Sequence, residues 1–217
     1  MAEETRMGRG TALIIFLMVA PAPFVHAQDS SRSKPENSIT VYGGERFGGS
    51  LTDSTGNSSV DLQSGSSFAM AVDIGLDRGT QLEFFYSRQN TSVTSNAFSP
   101  QANNVGLELN NYHLGGTAFI EGEVGRGLYV MGGLGATTAK SKASGRNSET
   151  FFSGNLGVGW MVPLGRHVGL RFEARGYGIL ISNNSAVFCG GTTGCTAAIK
   201  GSALFEGEVL AGLSARF

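Results

Sequence analysis

Charge is scarce in this sequence: Asp, Glu, Lys and Arg together make 15% of 217 residues, with a formal net charge of −1. Soluble domains average about 25%. The even balance leaves no basic footprint, so nucleic acid is not expected as a partner. Long apolar runs are also missing. Apart from residues 11–25, nothing approaches the roughly 18 residues of a spanning helix, which excludes a helical membrane protein. Cysteine is limited to two residues and proline to five, whereas glycine reaches 33. The many aliphatic and aromatic side chains argue against a disordered chain.

The one apolar run reads as an address. Arg6 and Arg9 precede Thr11 to Val25, Pro21 and Pro23 interrupt it, and Val25-His26-Ala27 closes it with small residues. This is the pattern of a secretory signal peptide over residues 1–27, cleaved before Gln28. Residues 28–37 form a polar lead-in, and one domain is expected over 38–217. Export gives the cysteines a use. Cys189 and Cys195 enclose five residues, three of them glycine, and an oxidising compartment permits a disulfide there. The spacing is not that of a zinc site and no histidine lies nearby.

From residue 38 the apolar residues recur with a period of two, the signature of strands. Phe68, Met70, Val72, Ile74 and Leu76 alternate with small or polar residues, as do Val168, Leu170, Phe172 and Ala174 with Arg171, Glu173 and Arg175. Eight strands are expected, near 38–47, 67–77, 80–89, 108–120, 127–138, 151–162, 167–180 and 203–217. The fourth to sixth are interrupted on one face by Gly115, Gly133, Gly135, Gly157 and Gly159. Long polar connections (Gly48 to Ser66, Asn90 to Leu107, Lys140 to Thr150, Ser182 to Ser202) alternate with short ones. In an up-and-down arrangement all the long loops therefore emerge at one end.

The charges decide which solvent the apolar face meets. Those on strands are few and mixed in sign: Arg46, Asp73, Glu83, Arg171, Glu173, Arg175, Glu206, Glu208 and Arg216. Lysine is almost absent from the strands. A soluble barrel would carry a dense charged exterior, whereas a narrow polar interior needs ions that pair. The apolar face is then expected to touch lipid, where only a closed barrel satisfies the backbone. Trp160, Phe217 and Tyr86 fall on that face, in the place of an interfacial aromatic belt. The expected fold is all-β: an eight-stranded antiparallel up-and-down transmembrane β-barrel.

Several segments resemble the small bacterial outer-membrane β-barrel superfamily, the opacity/porin-like group that includes OmpX-like proteins and the OmpA transmembrane domain. They are Val41 to Gly49, Tyr112 to Gly116, Tyr129 to Ala136 and the ending Ala211 to Phe217. The proline that family places before the fifth-strand tyrosine is replaced by Gly127-Leu128. The resemblance implies location in the cell outer membrane, contact with its lipid and lipopolysaccharide, and an assembly signal at Leu213, Ala215 and Phe217 read by the barrel assembly machinery. An OmpA-type periplasmic tether is not expected.

Some such barrels are lipid A-modifying enzymes with an H-x-S motif. Here His113 is followed by Leu114-Gly115 and His167 by Val168-Gly169, so neither carries the serine. Glycine clusters match neither a dinucleotide nor a P-loop motif. The pair Glu206 and Glu208 shares the inner face with Arg216 and reads better as part of a salt-bridge network than as catalytic carboxylates. Asn57, Asn90 and Asn183 begin sequons that mark only polar, exposed segments. No enzyme activity, metal or cofactor is expected. Eight strands leave a lumen that side chains fill, so function is expected in external loops that engage an outside or host ligand. A narrow channel or carrier for small apolar molecules, as in OmpW-like barrels, is the alternative.

Overall fold

A computed structural model describes residues 36–52, 59–95, 105–141, 148–181 and 203–217. Its ten strands are β1 (Ser38–Phe47), β2 (Ser50–Thr52), β3 (Ser59–Leu62), β4 (Gly65–Gly75), β5 (Thr80–Ser95), β6 (Val105–Phe119), β7 (Gly127–Ser141), β8 (Ser148–Pro163), β9 (Val168–Leu180) and β10 (Ala203–Arg216). Eight of them close into an all-antiparallel barrel in the order β4, β1, β10, β9, β8, β7, β6, β5, with β5 paired back to β4. No edge is left, which is the condition for placing a sheet in lipid. Followed from Arg46, the register passes through Glu208, Arg175, Gly157, Met131, Thr117 and Gln81 to Gly75. It re-enters β1 lower down, a stagger of about ten residues that tilts every strand to the barrel axis.

Two of the ten strands were not expected. β2 and β3 lie within the connection Gly48 to Ser66, which reads as a loop from its polarity. They continue the β1–β4 ladder: Arg46 faces Gly65, Ser50 faces Asp61, and Leu62 N donates to Gly49 O at 2.9 Å. The strand bends at Gly48 and Gly49, whose φ values of 89° and 102° only glycine adopts freely. On the other arm Leu62 faces Val93 and Ser67 faces Gln89, so this arm holds one more residue than β5 over the interval. That is a β-bulge. It is pinned by Thr91 Oγ1 donating to Gln63 O (2.5 Å) and Gln63 N donating to Ser92 O (3.1 Å).

β5 to β8 also run further toward the long-connection end than the apolar pattern suggests. The alternation of apolar residues stops where lipid stops, but the hydrogen-bond ladder does not. Outward residues of the wall are mostly apolar, with Leu114, Leu134, Leu156 and Phe205 among the most exposed, although Glu45 on β1 also faces out. On β6 the faces then exchange character without a change of register. Tyr112 and Leu114 face out while Asn111 and His113 face in; further along, Glu108 faces out while Leu107 and Leu109 are buried inside. Water outside the upper wall turns the apolar residues inward.

The opposite end is compact. The short connections 76–79, 120–126 and 164–167 lie there; the first two interlock, with Val124 N donating to Arg78 O at 2.7 Å and Phe119 N to Gly79 O at 2.8 Å. Phe119, Tyr129, Met131 and Met161 form an apolar cluster just above them, with Val124 packed against it.

Candidate functional site: an ionic core that fills the lumen

Because successive side chains on a strand alternate between faces, the inward positions of all eight barrel strands converge on the axis. Asp73 on β4, Glu83 on β5, and Arg171, Glu173 and Arg175 on β9 meet in one cluster. Arg171 pairs with Asp73 at 2.6 Å and Glu173 at 3.1 Å. Arg175 pairs with Glu83 at 2.9 Å and Glu173 at 2.7 Å. A second cluster lies toward the long-loop end, where Arg46 reaches Glu208 at 3.2 Å and Glu206 at 3.8 Å. All eight are buried.

Three guanidiniums face five carboxylates in these clusters. Hydroxyl donors stabilise the surplus negative charge. Tyr42 and Tyr129 each donate to Glu173 Oε1 at 2.7 Å, Ser38 donates to Asp73 at 2.8 Å, and Ser87 donates to Glu208 at 2.9 Å. Tyr177 also donates to Glu208. Arginine faces lie on aromatic rings, Arg175 3.7 Å from the Phe85 centroid and Arg46 4.8 Å from that of Tyr177.

Arg216 does not join this network, although the alternation of β10 puts it on the same face as Glu206 and Glu208. It sits at the short-turn end, with Nη1 3.1 Å from Glu36 Oε2 and Nη2 donating to Gly165 O at 2.8 Å. Alternation gives the face; only the length of the strand separates the two ends. Cys189 and Cys195 lie outside the described residues. Leu213, Ala215 and Phe217 face outward, Phe217 being 69% exposed. Trp160 is also exposed there, whereas Tyr86 lies within β5, its ring tilted 37° against that of Tyr112 with centroids 5.1 Å apart, and donates to Asn110 Oδ1 at 2.9 Å. Arg88 and Glu108, paired at 2.6 Å, stand just beyond these two rings.

Sequence reasoning missed one arrangement. His113 Nε2 lies 3.0 Å from Ser153 Oγ, forty residues away. Their strands are bridged by β7, where Gly135 faces both His113 and Ser153. Thr137 Oγ1 donates to Ser153 Oγ at 2.9 Å. In the orientation that satisfies both neighbours, Asn111 donates to Thr137 at 2.8 Å and accepts from Arg46 Nη1 at 3.1 Å. The polarity of this chain makes His113 Nε2 the terminal acceptor. Among the described residues no acid orients Nδ1 and none bonds it, and Ser153 is 0% exposed. A nucleophile needs an oriented base and an approaching substrate; this pair is a strut across the wall.

Above the ionic clusters Leu107, Leu109, Ala139, Ile179, Ile181 and Leu204 turn inward as a partial apolar collar, interrupted on β5 by the buried Gln89 and Thr91. Among the described residues, no group of three or more His, Cys, Asp or Glu is placed to hold a metal ion.

An edgeless antiparallel barrel, apolar outside and ionic inside, is the construction of a transmembrane β-barrel. The sequence model described as outer membrane protein beta-barrel domain matches residues 12–203, and the chain belongs to that family. Among solved structures it is similar to the outer membrane protein OprG from Pseudomonas aeruginosa, with 11% identity, a TM-score of 0.53, and coverage of 84% of this chain and 96% of that one. Neisserial surface protein A (15% identity, TM-score 0.49) is covered over 100% of its chain and 85% of this one. Ail, the attachment invasion locus protein of Yersinia pestis (14%, 0.49), is covered over 99% of its chain and 85% of this one. None of the curated proteins compared matches the chain.

Proposed function

We propose that this protein is a non-enzymatic outer-membrane anchor: a rigid, plugged barrel whose role lies in the external loops it displays. The observation that carries this reading is the filled lumen, where paired Arg46, Arg171 and Arg175 occupy the axis. A guanidinium bonded on several sides is held in place, and a solute would have to displace it. The displayed segments are those around Asp53 to Ser66, Thr91 to Asn104 and Cys189 to Cys195, which would engage an external or host ligand or support envelope integrity. A Cys189–Cys195 bond would tighten the last of them. Lipopolysaccharide and lipid surround the wall, and the ending Leu213, Ala215 and Phe217 would be read by the barrel assembly machinery. Planar-bilayer recording of the refolded protein tests the reading: silence is expected, and discrete conductance steps would overturn it.

The apolar collar favours a second reading, a carrier for small apolar molecules. Leu107, Leu109, Ile179 and Leu204 make an apolar lining above a polar floor, which suits an apolar guest. Uptake of a fluorescent apolar probe into vesicles separates this reading from the first. Uptake that falls on Leu109→Asp replacement would support the carrier; rates equal to protein-free vesicles would remove it.

A further inference from the structure

The two residues preceding β1 tie together more of the barrel than any polar lead-in requires. Asn37 and Phe217 exchange backbone hydrogen bonds at 3.2 and 3.0 Å, carrying the β1–β10 ladder to the last residue. Asn37 Oδ1 accepts from Gly75 N on β4 at 3.1 Å, and Glu36 O accepts from Gln81 Nε2 on β5 at 2.8 Å. Glu36 also pairs with Arg216, which bonds Gly165 O in the β8–β9 turn. His167 completes that turn's hold on Arg216: Arg216 N donates to His167 O at 2.7 Å, and Nδ1 lies 3.2 Å from Arg216 O. The β6–β7 turn packs on the same ion pair, since a side chain at Gly125 would meet both Arg216 and Glu36. Four parts of the base are thus held through one seam, the junction of the first strand with the last.

We infer that Glu36 and Asn37 are a latch on the β1–β10 seam, setting the rate at which the closed barrel reopens there and exposes its terminal strand. β1 and β10 lie at opposite ends of the barrel domain, so their ladder is the last that a chain growing strand by strand can complete. The latch forms only when both ends are present. Glu36 lies in the base, where it bonds Gln81 on β5 and Arg216 on β10, and through Arg216 reaches the β8–β9 turn, without entering the lumen network.

The full mature chain, refolded in detergent, tests this through the half-time for conversion of its compact, fast-migrating gel band to the unfolded band at fixed temperature. Glu36→Gln and Arg216→Gln are each expected to convert about fivefold faster, as for loss of a charge-assisted bond. The exchanged pair Glu36→Arg with Arg216→Glu should recover part of the loss. Glu123→Gln, which removes an exposed pair with Arg126 in a neighbouring turn, should convert at the parent rate. Val41 and Leu213 face each other across the seam on the outer wall. An oxidised Val41→Cys, Leu213→Cys protein should erase the difference that Glu36→Gln makes. Unchanged half-times in Glu36→Gln and Asn37→Ala, or a difference that survives the crosslink, would overturn the inference. If Arg216→Gln fails to fold, Glu36→Gln with and without the crosslink decides alone.

Discussion

Tyr129 lies across Gly159, its register partner on the neighbouring strand, and from there gives its hydroxyl to Glu173 at 2.7 Å and takes a bond from Arg171 Nε at 2.9 Å. A Cβ at 159 would stand 2.3 Å from the Tyr129 ring. The missing side chain is therefore what lets the tyrosine reach the ionic core. Tyr42 repeats the arrangement over Gly212, 2.4 Å from a Cβ there, and donates to the same oxygen of Glu173.

Gly159→Ala should displace Tyr129 and cost about 2 kcal/mol through overpacking and a lost hydrogen bond. The cost should shrink in a Tyr129→Ala background, because the two sites share one contact. Urea titration in vesicles, followed by fluorescence of Trp160, the single tryptophan, measures both.

Arg175→Met takes from Glu83 its nearest buried guanidinium and from Glu173 one of its two, leaving Arg171 alone to face both, and should cost about 3–5 kcal/mol. Glu83→Gln, which keeps the shape and can still accept from Arg175, should cost clearly less. Equal losses for the two in the same titration would show that removed volume, not unpaired charge, sets the cost.

The lipid boundary can be mapped with single arginines. Leu156→Arg enters the apolar outer band and should cost about 2–4 kcal/mol, whereas Thr138→Arg, further along β7 toward the long-loop end, should cost at most about 1 kcal/mol. Reversal of that order in vesicle unfolding would move the boundary.

The β4–β5 turn gives a pH dependence whose sign is fixed. Gly79 N donates to Asp77 Oδ1 at 2.8 Å, as does Thr80 N, and these bonds hold the carboxyl below its ordinary range. A depressed folded value means that this stabilisation is present above the unfolded pKa of about 3.9 and disappears as acid protonates the folded group. Asp77→Asn should keep the turn and flatten that part of the acid limb. Asp77→Ala should loosen the turn at every pH. Stability curves of the two between pH 2 and 7 check this.

The closed barrel, its antiparallel order and the inward face of the charges were legible because alternation is a local property of each strand. Phe172 out and Arg171 in follow from adjacency alone. What adjacency does not carry was missed. Arg216 shares a face with Glu208 yet lies at the other end, and distance along the barrel is invisible to a two-residue period. β2, β3 and the outer ends of β5 to β8 were hidden because their sequence is polar and lacks the apolar alternation, and so reads as loop. The His113–Ser153 contact depends on the pairing of β6, β7 and β8, so no motif could announce it.

The continued ladder has a consequence for reach. From Tyr86, beside the last apolar ring on β5, to Ser95 the strand still climbs about 20 Å after allowance for tilt. That parapet stands on the β3, β5 and β6 side, while β9 ends at Leu180, still among exposed apolar neighbours. Among the described residues the rim is thus slanted, and its high side stands clear of the membrane surface on stiff backbone. Whatever sits atop it gains height without relying on a limp tether.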